Sequence, residues 1–146
     1  MASGVQVSDE CKTVFQDVKM GHKYRYVIFC ISSDLKMIQV QKKAEPGAEY
    51  EDFLADMTEA EDLCECRYAI FDFEYLTKDN QSRNKLIFFM WSPEKAKIKQ
   101  KMVYASSRDA LKKALGEGIA KEVQANDHGD LKWESIMEII SRTERT

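Results

Sequence analysis

The residues best placed to do chemistry in this chain are cations. Seven of them, Lys95, Lys97, Lys99, Lys101, Arg108, Lys112 and Lys113, stand between Glu94 and Gly116 against only Glu94 and Asp109. The whole chain carries a net charge of -3, so this is a concentrated positive element on an acidic protein. Such an element suits an acidic partner: a protein surface, an anionic lipid or a nucleic acid. The stretch 44–65 is its opposite, with Glu45, Glu49, Glu51, Asp52, Asp56, Glu59, Glu61, Asp62 and Glu65 and neither Lys nor Arg.

Covalent chemistry finds less support. The two histidines, His22 and His128, sit beside no Ser or Cys motif, and GxGxxG, P-loop and HExxH patterns are lacking. Asp72 and Glu74 alternate along a strand and so share a face, which could host acid–base work. They read instead as polar positions among Ile70, Phe71 and Phe73. Cys64 and Cys66 form half of a metal motif, but structural zinc needs four N or S ligands and no histidine is near. With Cys11 and Cys30 they read as free thiols of a reducing compartment, Cys30 as a small core hydrophobe. The expectation is a protein that is not an enzyme and takes no metal or cofactor. Nucleic acid is disfavoured too, because aromatics are not interleaved with the cations.

The elements that must carry these residues follow from periodicity. Ser8, Asp9 and Glu10 start a helix with Cys11, Phe15 and Val18 on one stripe, ended at Gly21. Residues 24–31 and 35–41 predict a strand hairpin around Ser32, Ser33 and Asp34. Pro46 and Gly47 break the chain. Tyr50, Phe53, Leu54 and Met57 are spaced for a short helix. Strands follow over 67–75 and 85–91, the second so apolar that helices must cover both faces of the sheet. Ser92 as N-cap and Pro93 at the first position predict the start of the basic helix. Ser106 and Ser107 offer a bend, Ile98 and Leu111 a core side, and Gly116 to Gly118 the end. A short strand at 122–124 and a last helix capped by Asp130, carrying Trp133, Met137 and Ile140, complete the chain. Length and even composition fit one domain over 1–146, with a mobile N-terminal arm (1–7) and C-terminal tail (142–146). The class is α/β of the α+β type. Its central mixed sheet has five to six strands, mostly antiparallel, between helices on both faces. No run of about 18 apolar residues spans a membrane, and residues 1–10 lack the features of a signal peptide. A cytosolic protein is expected.

Four segments carry a family resemblance. KMVYASSRDALKKAL, from Lys101 to Leu115, resembles the long-helix signature of the actin-depolymerising factor/cofilin family. MASGV at the N-terminus, CRYAIFDFEY from Cys66 and FFMWSPEKAKIK from Phe88 are similar to other family segments in the same order. The resemblance implies a single domain of the ADF-homology fold that binds actin monomers and filaments. It also implies preference for the ADP state, and severing and depolymerisation of filaments. Two surfaces carry over by position. Ser3, Gly4, Val5, Lys99, Lys101, Met102, Arg108 and Lys112 would meet both monomer and filament. Arg83, Lys85, Glu138 and Arg142 would meet filaments alone. Ile139 departs from the basic residue often found there, which removes one filament contact. Ser3 would be the phosphorylation switch, adding about -1.5 to -2 charge to an arm facing acidic actin. Lys99, Lys101, Arg108, Lys112 and Lys113 would bind phosphoinositide headgroups as a peripheral, salt-sensitive contact. The protein is expected to be a monomer of the cytoplasm and actin cytoskeleton, small enough for a nuclear fraction. The alternative within the fold is a filament- or nucleating-complex-binding protein without strong severing.

Overall fold

The computed structural model describes residues 4–77 and 79–144. In chain order the elements are β1 (Gln6–Val7), α1 (Asp9–Gly21), β2 (Tyr26–Ile31), β3 (Met37–Ala44) and α2 (Tyr50–Asp62). They continue with β4 (Arg67–Leu76), β5 (Ser82–Trp91), α3 (Ile98–Leu115), β6 (Ile119–Ala125), a 3₁₀ turn (His128–Leu131) and α4 (Trp133–Glu144). One six-stranded sheet runs β1-β3-β2-β4-β5-β6. The β2–β3, β2–β4 and β4–β5 pairs are antiparallel, and the β1–β3 and β5–β6 pairs are parallel.

The middle strands are apolar on both sides, and their alternation sorts two cores. Val27, Phe29, Tyr68, Ile70 and Phe88 point to one face, where Phe15 and Val18 of α1 and Tyr104 and Leu111 of α3 cover them. Tyr26, Ile28, Phe71, Ile87 and Phe89 point to the other, beneath Phe53 and Met57 of α2 and Ile136 and Ile140 of α4. A period of two in the strands thus feeds two helical layers. Fully burying one such aliphatic or Phe side chain stabilises the fold by about 1.5–3 kcal/mol.

Several boundaries differ from the sequence reading. The basic helix starts at Ile98, with Lys97 as its N-cap, not at Ser92. Ser92 to Lys97 is held by other bonds: Ser92 N–H donates to Ala125 O, Ala96 N–H to Pro93 O, and Lys97 N–H to Cys64 O at 3.1 Å. Tertiary partners therefore outcompete the local cap. α3 is continuous through Ser106 and Ser107, and Ser107 is buried. Asp130 caps no helix that carries Trp133. Its carboxylate accepts from the Asn126 and Asp127 N–H groups and closes the 3₁₀ turn. Trp133 itself is 42% exposed. Of the expected arm, Val5 is buried and Gln6–Val7 pairs with β3 beside α3. Ser3 lies outside the described residues, and of the tail over 142–146, α4 reaches Glu144.

Four tyrosines, Tyr26, Tyr50, Tyr68 and Tyr104, are buried, and burial pushes each phenol well above its ordinary range; the Asp56 carboxylate adds to this at Tyr26. Their contribution to stability is constant below about pH 10, the ordinary phenol value. It falls above that, because the unfolded chain releases protons the folded chain keeps. Each tyrosine contributes a slope of about 1.4 kcal/mol per pH unit. Urea unfolding followed from about pH 9 to about pH 11.5 should show this steep loss, and a flat profile would contradict the burial of the hydroxyls.

Candidate functional site

α3 presents the cations, and the sheet fixes which way they point. Tyr104, Ser107, Leu111 and Leu115 are its buried residues. At 100° per residue, Met102 lies about 180° from Leu111. Met102 is accordingly 66% exposed, and Ile98, one turn earlier on the same face, is 75% exposed. The sequence reading placed Ile98 in the core; the structure places it outside, next to Met102. Its i, i+4 spacing from Met102 was the signal, once the buried stripe was set by Tyr104 and Leu111. Exposed Ala105 and Ser106 continue this face with short side chains that allow close approach.

The cations around the apolar pair are not equivalent. Lys99 and Lys113 are exposed and make no ion pair among the described residues. The Lys101 ammonium donates to Glu94 O at 2.9 Å, which holds it beside the helix start. Arg108 and Lys112 both turn to Glu122 of β6: Arg108 Nε is 3.3 Å from Oε2 and Lys112 Nζ is 2.7 Å from Oε1. One carboxylate thus offsets part of the charge that the linear sequence offers. No spacing rule reveals this, because the partner arrives through the parallel β5–β6 pairing. Lys97 N–H and Gln100 Oε1 tie the front of α3 to the loop of Cys64 and Cys66, the latter contact at 3.4 Å to the Cys66 N–H. Cys66 is buried, its thiol 3.5 Å from Ser92 Oγ, and burial raises its pKa.

The N-terminal segment reaches the same side. Gly4 is exposed with φ at +71°, a conformation that favours glycine. Val5, expected to meet a partner, is 1% exposed and anchors the segment in the core shared with α3.

The second expected surface lies at the β4–β5 hairpin and α4. Arg83 is exposed opposite Tyr75, and the Lys85 ammonium lies 5.9 Å from the Tyr75 ring centroid. Glu138 and Arg142 pair with each other at 2.5 Å, one turn apart on the exposed side of α4. Tyr75, Met137 and Ile139 all pack on the second core. Ile139 is half-buried there, which accounts for an apolar residue at that position. Asp72 is not a free acid. It is buried and accepts from His22 Nδ1 at 2.8 Å and from Asn84 Nδ2 at 3.0 Å.

A two-cored mixed sheet carrying one long helix, with an apolar pair ringed by lysines, defines an ADF-homology domain. The chain belongs to the family of Cofilin/tropomyosin-type actin-binding proteins, whose description matches residues 4–141. It is 46% identical over 143 residues to the cofilin of Mycosarcoma maydis, covering 98% of this chain and 99% of that protein. It is 42% identical over 141 residues to the cofilin of Saccharomyces cerevisiae, covering 96% and 94%. The crystal structure of Streptomyces griseoflavus cofilin superposes with a TM-score of 0.85 at 41% identity, covering 95% of this chain and 98% of that one. Coactosin from Entamoeba histolytica, at 19% identity and a TM-score of 0.80, shares the fold.

The exposure of Ile98 and Met102 separates stability from recognition. Replacing both with Ser should change the unfolding free energy by no more than about 1 kcal/mol, about 0.5 for each exposed site. Leu111→Ala, about two and a half turns beyond Met102 on the buried side, should cost about 2–5 kcal/mol. Urea unfolding of the two variants checks the assignment of faces.

Proposed function

We propose that the protein binds actin monomers and filaments, prefers ADP-actin, and severs and depolymerises filaments to drive turnover. The observation that carries this reading is the solvent-facing Ile98–Met102 pair on α3, flanked by Lys99 and Lys101, in a member of an actin-binding family. An exposed apolar knob costs solvation energy in the free protein and recovers it in a partner's cleft. Lys99 and Lys101 then meet carboxylates at the cleft rim. Ser3 and Gly4 extend this contact, while Val5 holds the arm in place. Arg108 and Lys112 join it to the extent that an acidic partner competes with Glu122.

Arg83, Lys85, Glu138 and Arg142 form the filament-specific surface in this reading, with Ile139 as a weaker point of contact. Phosphorylation of Ser3 places negative charge against acidic actin and switches binding off. Phosphoinositide headgroups compete for Lys99, Lys101, Arg108, Lys112 and Lys113. The protein works as a monomer on the cytoplasmic actin cytoskeleton, with a fraction entering the nucleus, and does so by binding alone, without catalysis.

Co-sedimentation with filamentous actin tests this. Wild type should pellet with filaments and raise unpelleted actin. Lys99→Ala/Lys101→Ala and Ser3→Glu should lose both effects, by roughly tenfold or more in affinity if the charges are desolvated at the contact. Filament binding by wild type with no rise in unpelleted actin would instead support the non-severing alternative.

Glu122 sets a second expectation. Glu122→Gln frees two cations on α3 and should strengthen sedimentation with vesicles containing phosphatidylinositol bisphosphate, with a steeper loss in salt than wild type. Equal binding by both proteins would remove Arg108 and Lys112 from the lipid surface.

A further inference from the structure

The face of the sheet covered by α2 and α4 holds a groove lined by none of the residues assigned above to actin. Its volume is about 560 Å³, within the ~300–1,000 Å³ of ligand sites. Tyr50, Phe71, Phe73 and Trp133 line it. The Trp133 indole meets Tyr50 edge-on at 5.2 Å between centroids and lies 5.6 Å from Phe73. Trp133 opens α4 and stays 42% exposed, while Ile136 and Ile140 on the same helix are buried. The largest apolar side chain of the helix therefore has a surface turned to water at the groove.

Carboxylates rim these rings. Glu51 on α2 and Glu134 on α4 are exposed and have no ion pair among the described residues. Glu74 of β4 is also exposed, its carboxylate 3.7 Å from Arg25 Nη2. Arg25, the cation in the lining, is already committed. Its Nε and Nη2 donate to Pro46 O at 3.0 and 2.8 Å, and its Nη1 donates to Asp72 O at 3.0 Å. It therefore braces the wall and leaves the groove net negative. Acidic residues in the first turn of a helix have an ordinary use against the helix dipole. That use explains Glu51 and Glu134 singly. It does not explain an aromatic-walled groove between the two helix starts with its indole exposed.

We infer that this groove receives an Arg or Lys side chain from an extended basic segment of a protein partner. The exposed Trp133 indole, backed by the buried Tyr50, Phe71 and Phe73 rings, attracts a guanidinium or ammonium as water is excluded. The carboxylates supply charge-assisted hydrogen bonds. The groove's volume exceeds that of one side chain, which leaves room for residues flanking the cation. It opens on the core covered by α2 and α4, whereas α3 covers the opposite one. The basic partner can therefore bind while α3 is occupied.

Trp133 provides its own reporter, because Trp91, the other tryptophan, is fully buried. The probe is the peptide acetyl-Gly-Arg-Arg-Gly-amide, titrated by intrinsic fluorescence and calorimetry at low salt against the same peptide with citrulline for arginine. Saturable binding of the arginine peptide should appear, weakened tenfold or more in Glu51→Gln/Glu134→Gln and in Trp133→Ala. The citrulline peptide should not bind. Glu59→Gln/Asp62→Gln removes equal charge from the far end of α2 and should bind as wild type does. Thermal melts and actin co-sedimentation of every variant check folding separately. The inference is overturned if the arginine peptide does not bind at millimolar concentration. It is also overturned if citrulline binds equally, or if Glu59→Gln/Asp62→Gln weakens binding as much as the groove variants. Spermine binding as tightly as the peptide would assign the groove to a free small cation and overturn the peptide occupant.

Discussion

Two tyrosines pin α3 to the sheet, and the orientation of its exposed face depends on them. The Tyr104 hydroxyl accepts the Ile31 N–H at 2.8 Å, at the end of β2. The Tyr68 hydroxyl, from β4, donates in turn to the Tyr104 carbonyl. The two rings pack 4.9 Å apart between centroids. A helix held only by apolar contacts can rotate to a neighbouring packing at modest cost. One fixed by buried hydrogen bonds on both its side chain and its backbone cannot, since an orphaned buried group costs about 1–3 kcal/mol. With Tyr104 inward, helical geometry alone sends Ile98 and Met102 outward.

The same constraint explains where polar chemistry is found. Strands β2, β4 and β5 are covered on both faces, so charges are pushed to strand ends, helix surfaces and the sheet edge. Asp72 shows what it takes to keep a buried carboxylate near the core: an imidazole donor and an amide donor, His22 and Asn84, which are themselves exposed. β6, at the sheet edge, carries Glu122 under the last turns of α3. Fold and electrostatics are therefore linked through topology: the parallel pairing that completes the sheet also supplies the counter-charge to the basic helix.

The fold was legible in the sequence wherever burial enforced a period. The two-sided apolar run of β5, the alternation in β4 and the stripe of α1 all appear as read, because each residue there has one environment available. Misreadings occurred where distant partners decide. Ser92 and Pro93 carry a good local helix start, yet the Cys64 carbonyl claims the Lys97 N–H and delays the helix to Ile98. Asp130 has the side chain for a cap but turns it back on Asn126 and Asp127. At the candidate site, the Lys99, Lys101 and Met102 grouping came from the family resemblance, which a motif local to one helix can carry. The role of Glu122 and the outward turn of Ile98 were not visible, since they depend on β6 register and on which side of α3 the tyrosines claim.

Two cores also mean two surfaces with separate mechanical supports. The α3 face rests on α1, α3 and the first core; the aromatic groove rests on α2, β4, α4 and the second. They meet only through the shared strands, whose side chains alternate strictly between the cores. Energetic coupling between distant sites needs an element with two arrangements that both sites bias. A sheet packed on both faces and hydrogen-bonded through β2, β4 and β5 is a poor candidate for such an element. Occupancy of the two is therefore near-independent: a basic segment in the groove would add a partner to the α3-bound complex without altering its affinity. A protein of this size can then act as a connector, with an actin monomer on the α3 layer and a second protein on the other, through rigidity and without any conformational relay.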